Sequence, residues 1–174
     1  YNADMQEDAY FNYAKLAFDL NHDPSVFDSY IKKYPELAKG DRIYSYIALA
    51  ALYNRDYAGA VEAYDKIDEL DNNMKSNYMK ANYLRADQLI ADGSYRKAVP
   101  CLKAAAYYSD KHSPFNQLSR YWLAESYYRD DDWSQSGGLF NTLYNISALE
   151  GKAEGRLLPY DIAYCYFKSG DYDN

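Results

Sequence analysis

Reactive and cross-linking residues are scarce in this sequence. Its 174 residues include only 2 cysteines and 2 histidines. Two thiols are too few for a disulfide framework or a cysteine-rich metal cluster, so we expect Cys101 and Cys165 to be small apolar residues buried in helices. No glycine-rich phosphate loop follows a strand, because the sequence contains no convincing strand. These absences exclude disulfide-stapled and phosphate-loop proteins.

Positive charge and long apolar runs are also scarce. The net charge is −7, and acidic and basic residues are interspersed without a basic block. A phosphate backbone would be repelled on average, so nucleic acid is not an expected partner. The longest apolar stretch, 46–53, is too short to cross a bilayer, which argues against membrane insertion. No signal peptide is visible and the chain does not begin with Met, so we expect a processed product or a piece of a longer protein.

The few histidines and acidic runs do not form a recognisable reactive site. His22 lies beside Asp19 and Asp23, but that spacing suits a capping cluster at a helix end better than a metal site. The acidic run 130–132 lacks the spaced oxygens and the closing glutamate of a calcium loop. We therefore expect no catalytic residue, no metal and no cofactor, and a chain that is not an enzyme.

Tyrosine is the abundant residue. The chain has 23 tyrosines against 6 phenylalanines, and 48% of its residues are hydrophobic. Tyrosine suits half-buried positions, because its ring packs while its hydroxyl stays in water. Many such positions predict a protein with much shallow surface, as in an elongated stack of helices.

One pattern recurs along the chain at a nearly constant spacing. The aromatic residues Tyr57, Tyr95, Trp133 and Tyr172 each follow a turn of Gly, Asp, Asn or Ser, at intervals of 38, 38 and 39 residues. Nine residues before them stand Ala48, Ala86, Ala124 and Ala163. Three residues after the first three stand Ala60, Ala98 and Ser136. Further apolar columns lie seven and ten residues after the aromatics, on one helix face. The pattern predicts repeated helical hairpins, each packed on the next.

Two segments carry a family resemblance: YIALAALYNRDYAGAVEAYDKI (46–67) and YDIAYCYFKSGDYDN (160–174). They resemble the signature of the tetratricopeptide repeat family, which is a small residue, an aromatic, a G-D-Y turn and an alanine. The resemblance implies an all-α fold, an α-solenoid of stacked antiparallel helix hairpins in a right-handed superhelix of about four and a half repeats. The 38-residue period exceeds the roughly 34 residues of the standard repeat, so helices or turns must be extended.

The resemblance also implies repeat boundaries within one domain over 1–174. The expected repeats are 3–38, 41–73, 75–111, 114–150 and the incomplete 156–174. Two departures from good helix sequence stand out in the second helices. The Ser-Gly-Gly run at 136–138 is expected to fray or bend its helix, and Pro100 is expected to kink its helix or delay its start.

The sequence stops at Asn174, before the second helix of a fifth hairpin. We therefore expect the parent protein to continue, and this end to expose apolar surface. The candidate exposed residues are Tyr160, Ile162, Tyr166 and Phe167. Such a surface could pair with another copy of the chain.

In the tetratricopeptide family the first helices of successive repeats line a concave groove that holds peptides or partner segments. The resemblance, carried over position by position, places these residues in that groove: Tyr53, Tyr83, Asp87, Tyr121, Glu125, Tyr128, Arg129, Tyr160, Tyr164, Phe167 and Lys168. They would form an aromatic track with acid at its middle and base in its C-terminal half. The alternative is that the aromatics only fill space between neighbouring helices. The family's clamp for a C-terminal carboxylate is not matched.

Three functions remain open on this evidence. The first is a scaffold that binds a protein or peptide partner of unknown identity in the groove. The second is a carbohydrate-binding module whose tyrosine rings stack on sugars, and the third is a structural spacer in a longer repeat protein. Arrays of this tyrosine-rich style resemble envelope proteins of gut-type bacteria, which favours a bacterial envelope or periplasm over the cytoplasm.

Overall fold

The computed structural model describes residues 3–34, 40–144, 146 and 149–173. All regular structure in these ranges is helical, so the predicted all-α class is confirmed. The helices are α1 (Ala3–Asn21), α2 (Ser25–Lys33), α3 (Gly40–Tyr53), α4 (Tyr57–Tyr64), α5 (Asn72–Ala91), α6 (Tyr95–Tyr108), α7 (Pro114–Arg129), α8 (Trp133–Leu143) and α9 (Ala153–Ser169). Among the residues described, no helix is both long and apolar enough to cross a membrane.

The chain divides into two compact units, Tyr1–Ala81 and Asn82–Asn174, and the boundary falls inside α5. Each unit has its own apolar core. The single domain over 1–174 with the repeat limits given above stays a prediction. The end of its first repeat, at 35–38, lies outside the described residues.

Aromatic packing dominates the N-terminal part of the first unit. The rings of Phe27 and Tyr46 stack, with centroids 5.2 Å apart and planes 7° apart. The Tyr30 ring is fully buried, and its hydroxyl donates a 2.5 Å hydrogen bond to Glu7. In the next hairpin, the Asp41 carboxylate accepts hydrogen bonds of 3.0 and 3.1 Å from two successive backbone N–H groups after α4. These hydrogen bonds connect the start of α3 to the segment that follows α4.

Small residues lie where the two helices of a hairpin approach closely. On the first helices these are Ala48, Ala86 and Ala124, all completely buried. On the second helices they are Ala60, Ala98 and Ser136, also completely buried. Because such side chains hardly extend beyond Cβ, the helix backbones can pack at short distance. The Ser136 hydroxyl adds a 2.9 Å hydrogen bond to the Ala124 carbonyl oxygen.

The turns after α3, α5, α7 and α9 share one backbone conformation. Their residues with positive φ are Arg55 (59°), Gly93 (71°), Asp131 (61°) and Gly170 (77°). In each turn this residue's N–H bonds to the carbonyl three residues back, and the next N–H bonds to the carbonyl five residues back. These two bonds define the Schellman motif, which satisfies carbonyls left open at a helix end. The same hydrogen-bonded helix C-terminus therefore recurs with the sequence repeat.

Acidic side chains cap two of the second helices. Asp56 accepts a 2.9 Å hydrogen bond from the Gly59 N–H at the start of α4. Asp132 accepts a 3.3 Å bond from the Gln135 N–H at the start of α8. Ser94, at the equivalent place before α6, makes no such bond. The turn residues thus select both the end of one helix and the start of the next.

The second unit bears on two expectations about its second helices. Helix α8 is continuous through the Ser-Gly-Gly run at 136–138, so the expected fraying is wrong. A Cβ added at Gly137 would lie 3.0 Å from the Cβ of Cys165, so glycine here lets α9 pack against α8. Helix α6 begins at Tyr95, directly after the turn, and continues through Pro100, so its start is not delayed. Cys165 is buried as expected, whereas Cys101 is half-buried.

Candidate functional site

The first helices of the second unit carry most of the predicted groove residues. Equivalent positions recur every 38 or 39 residues, so equivalent side chains come side by side when successive hairpins stack. We call the following set the first-helix surface: Tyr83 and Asp87 of α5, Tyr121, Glu125, Tyr128 and Arg129 of α7, and Tyr160, Tyr164, Phe167 and Lys168 of α9. The role of these residues in binding stays a prediction.

The three tyrosines of one predicted column differ in exposure. Tyr160 is 63% exposed, whereas Tyr121 is only 5% exposed and Tyr83 is half-buried. The Tyr121 ring meets the Trp122 ring edge-on, at 5.3 Å and 80°. The Tyr83 ring meets the Phe115 ring edge-on, at 5.5 Å and 90°. This column is therefore not a flat platform of three rings, because two of them pack into the unit.

A cluster of four rings joins α7, the start of α8 and α9. The rings of Tyr160 and Tyr164 are nearly parallel, with planes 19° apart and centroids 6.0 Å apart. The Tyr164 ring also lies 5.8 Å from Tyr128 and 5.6 Å from Trp133. Tyr128 and Trp133 meet edge-on, at 5.1 Å and 88°. We call these four residues the ring cluster; Tyr160 is its exposed member.

Both cations of this surface have partners inside the unit. The Arg129 Nε lies 2.7 Å from the Glu125 carboxylate, one helical turn away. The same guanidinium lies over the Tyr95 ring, with its carbon 5.8 Å from the centroid. The Lys168 ammonium lies 5.5 Å from the Trp133 centroid and 5.7 Å from that of Tyr164. Aromatic faces in this unit therefore already attract cations from the chain itself.

The Tyr121 hydroxyl faces a group of carboxylates. Burial is the main cause that raises the pKa of this phenol, and the charges of Glu125, Asp161 and Glu154 raise it further. Arg129 opposes them with a smaller effect. Within the described residues the hydroxyl makes no hydrogen bond. The Tyr121 hydroxyl therefore lies within electrostatic reach of three carboxylates.

Asp161 is the carboxylate with the most altered acidity. Burial, with a further contribution from Glu125, raises its pKa from the ordinary 3.8 to about 6, although Arg129 lowers it. Its carboxylate forms no ion pair among the residues that the structure describes. The negative charge of Asp161 is therefore incompletely compensated inside the unit.

The acidic character extends from α5 to the first turn of α9. Burial raises the pKa of the Tyr83 phenol, and the charges of Asp87 and Glu154 raise it further. Glu154 acts on Tyr121 as well, so it lies within electrostatic reach of both α5 and α7. Glu154, which the groove columns omit, is thus a carboxylate of α9 that acts on tyrosines of two other helices.

Two other predicted groove residues make ring contacts of their own. Tyr53 belongs to the first unit, where its ring lies 4.8 Å from the His22 ring. Phe167 is 64% exposed, and its ring contacts that of Tyr172 at 6.2 Å. Of the other residues expected to form an apolar end, Ile162 and Tyr166 are half-buried. Self-association through this end of α9 stays a prediction.

Sequence reasoning missed Asp161, Glu154 and Trp133 as parts of the site. A signal for Asp161 was present, because its column otherwise reads Tyr46, Leu84 and Trp122. An acid in an apolar column is half-buried by the fold, which explains the raised pKa of Asp161. The sequence pattern places Trp133 only at the hairpin turn. No local signal distinguishes Glu154 from an ordinary exposed glutamate.

The described residues contain no group of three or more His, Cys, Asp or Glu side chains that could hold a metal ion. The ring of His22, one of the metal candidates, lies 5.6 Å from the Phe18 ring in an edge contact. Cys165 is the buried thiol of the second unit, and burial raises its pKa. A raised thiol pKa lowers the thiolate fraction, which disfavours nucleophilic chemistry at this residue.

No protein-family model matches the chain, and no curated protein matches it. Solved structures that match the chain include the nearly identical TPR-like repeats of a putative kinesin light chain from Podosopora anserina. That chain is 13% identical, with a TM-score of 0.42 over 97% of this chain and 87% of that one. A second is MamA from Desulfovibrio magneticus RS-1, 15% identical with a TM-score of 0.43 over 97% of each chain. Such values are too low to support inferences about function.

The chain's own features support the fold without these likenesses. Helical hairpins recur with the 38-residue spacing, small residues are buried between their helices, and the turns after α3, α5, α7 and α9 form the same hydrogen-bonded motif. These are the elements that the family resemblance predicted. The chain is an all-helical repeat protein of tetratricopeptide-like hairpins.

Proposed function

We propose that this chain is a non-enzymatic interaction scaffold that holds an extended segment of a partner protein on the first-helix surface. The observation that supports this best is the ring cluster, in which the exposed Tyr160 ring continues into the nearly parallel Tyr164 ring. Tyrosine offers large contact area at small entropic cost and is enriched in binding hot spots. Charged groups beside such anchors set the register and orientation of the partner.

The dimensions of the surface suit a short extended segment. From Tyr160 to Lys168 the helix rises about 12 Å, since each residue adds about 1.5 Å. An extended chain covers that length with about four residues at about 3.3 Å each. The first residues of such a segment would lie at Tyr160 and its last residues at Lys168. One short sequence could therefore contact aromatic rings and charges of both signs.

The carbohydrate alternative is not favoured by the ring geometry. A sugar platform requires two or three exposed rings in one plane with carboxylates at the edge. Tyr121 and Tyr83 instead pack edge-on, and the Tyr128 and Trp133 rings are almost perpendicular. Among the described ring contacts of the ring cluster, only the pair Tyr160 and Tyr164 is close to parallel.

Selection of random dodecapeptides displayed on phage tests the proposal with the intact chain. Enriched peptides would be synthesised and their affinities measured by fluorescence polarisation. The Tyr160→Ala/Tyr164→Ala variant should weaken them by about 30-fold or more, because two hot-spot rings contribute about 2 kcal/mol or more together.

A matched control removes two tyrosines from the second-helix side of the same unit. Tyr107 and Tyr144 are 81% and 51% exposed, and both lie outside the first helices. Their double alanine variant should change affinity by less than about twofold, since isolated rim contacts contribute little. Equal losses in the two variants would contradict the location of the site. Failure to enrich any peptide would overturn the scaffold proposal and favour a structural spacer.

A further inference from the structure

We propose that two copies of this chain associate through α1, whose outer face packs antiparallel against the same face of the second copy. The contact is separate from the first-helix surface, because α1 belongs to the first unit and that surface to the second. The dimer and the proposed function therefore stand or fall independently.

Helix α1 is apolar on two opposite faces. The buried face contributes to the core of the first unit and consists of Phe11, Ala14 and Phe18. The other face carries exposed apolar residues at spacings of 4, 4, 3 and 4, which are Met5, Ala9, Tyr13, Leu16 and Leu20. These spacings keep the five residues on one side of the helix, half a turn around its axis from the buried face. We call them the outer stripe, and a stripe of this kind is typical of a helix that packs against a second helix.

The area of the outer stripe matches what a weak dimer needs. Its four large side chains are between 57% and 71% exposed. Since a large apolar side chain can bury roughly 100–250 Å², complete pairing removes about 400–500 Å² of the stripe on each copy. Both copies with their flanking residues then bury about 1,000 Å², which is the lower limit for a specific interface. We therefore expect a dissociation constant of about 10–100 µM.

The order of side chains along the outer stripe fits its own reverse. A two-fold symmetric interface uses the same patch on both copies, so the patch must be complementary to itself. In an antiparallel pair Met5 lies opposite Leu20 of the second copy. The small Ala9 lies opposite Leu16, and the two Tyr13 side chains meet near the symmetry axis. Small side chains opposite large ones let the two helices interdigitate.

The charged residues beside the outer stripe distinguish the direction of pairing and the kind of partner. Asp8, Lys15 and Asp19 flank the stripe along one edge of α1. In an antiparallel pair like edges meet, so Asp8 of the second copy lies level with the point midway between Lys15 and Asp19, about 3 Å along the axis from each. A parallel pair would instead place each charge level with its own counterpart, which is repulsive. A lipid surface fits poorly, because helices that bind membranes carry a basic polar face and this edge is mainly acidic.

Sedimentation equilibrium of the whole 174-residue chain, at concentrations from about 1 µM to about 1 mM, tests the dimer. Leu16→Glu should weaken it at least about 100-fold, because the symmetric pair buries the new carboxylate twice among apolar side chains. The control is Leu157→Glu, the same change at a leucine of α9 that is 55% exposed against 57% for Leu16, and it should dimerise as the unaltered chain does. Asp19→Lys should strengthen the dimer by about threefold or more, since Asp8 of the second copy then lies between two cations.

Four results would overturn the proposal. They are a monomer at about 1 mM, a dimer that persists in Leu16→Glu, equal weakening by Leu157→Glu, or no strengthening by Asp19→Lys. Equal weakening by the control would place the contact on α9 instead, and an unresponsive Asp19→Lys would refute the antiparallel direction. Circular dichroism checks that each variant keeps its helix content, and Leu20→Glu takes the place of Leu16→Glu if that variant unfolds.

Discussion

Two adjacent glycines of α8 provide a stringent test of how the second unit packs. Gly137 is buried, and a Cβ placed on it would lie 3.0 Å from the Cβ of Cys165 on α9. Gly138 is exposed, and a Cβ there would meet no atom within 4 Å. Alanine at either position gains the same helix propensity, so the pair isolates the interhelical contact.

The two variants are expected to differ in stability. Replacing glycine by alanine inside a helix stabilises by about 1 kcal/mol, and Gly138→Ala should show that full gain. Gly137→Ala gains the same amount but forces α8 and α9 apart by a few tenths of an ångström, which costs about 1–3 kcal/mol. The buried variant should therefore be neutral or destabilised by up to about 2 kcal/mol, with about 1–3 kcal/mol between the two variants.

Urea unfolding followed by tryptophan fluorescence measures the difference. Both tryptophans, Trp122 and Trp133, lie in the second unit, so their emission reports on the unit that contains the mutations. Circular dichroism would check that helix content and the slope of the transition are unchanged. Equal stabilisation by both alanines would refute the close packing. In a Cys165→Gly background, which lacks the contacted Cβ, the penalty of Gly137→Ala should shrink.

Three further changes test the turns, the acidic site and the first unit. Both Arg55 and Gly93 have positive φ, which glycine adopts without strain. Arg55→Gly should therefore stabilise the fold by about 1 kcal/mol and Gly93→Ala should destabilise it by about as much, measured by urea unfolding. A change of the same sign in both variants would contradict this. The folded-state pKa of Asp161, about 6, lies above its ordinary 3.8, so the folded chain binds the extra proton and stability falls as pH rises between those values. Asp161→Asn should therefore match the unaltered chain near pH 4 and exceed it by about 1 kcal/mol at pH 7, after allowance for solvent screening; a gain at both pH values would refute the assignment. Asp41→Ala removes the acceptor of two backbone N–H groups and should cost about 1–2 kcal/mol by circular dichroism, with Asp41→Asn intermediate.

The sequence by itself determined the hairpins and their turns. A helix end needs a residue that tolerates positive φ and a cap for the following helix, and both requirements are met within a few residues of chain. The 38-residue spacing of turn aromatics and small residues therefore predicts α3 to α9 closely. Gly93 and Gly170 mark the left-handed turn position directly. Arg55 and Asp131 show that the surrounding hydrogen bonds impose the same conformation on other residues.

The exposure of each groove residue was decided only by the tertiary structure. Tyr121 and Tyr160 occupy equivalent positions, yet one is buried and the other is exposed, because α7 is packed between neighbours whereas α9 is the last described helix. Burial depends on side chains brought from distant parts of the chain, which no local pattern specifies. The raised pKa of Asp161 and the need for glycine at 137 have the same origin. The sequence thus specifies where helices begin and end, while contacts between helices decide which side chains can meet a partner.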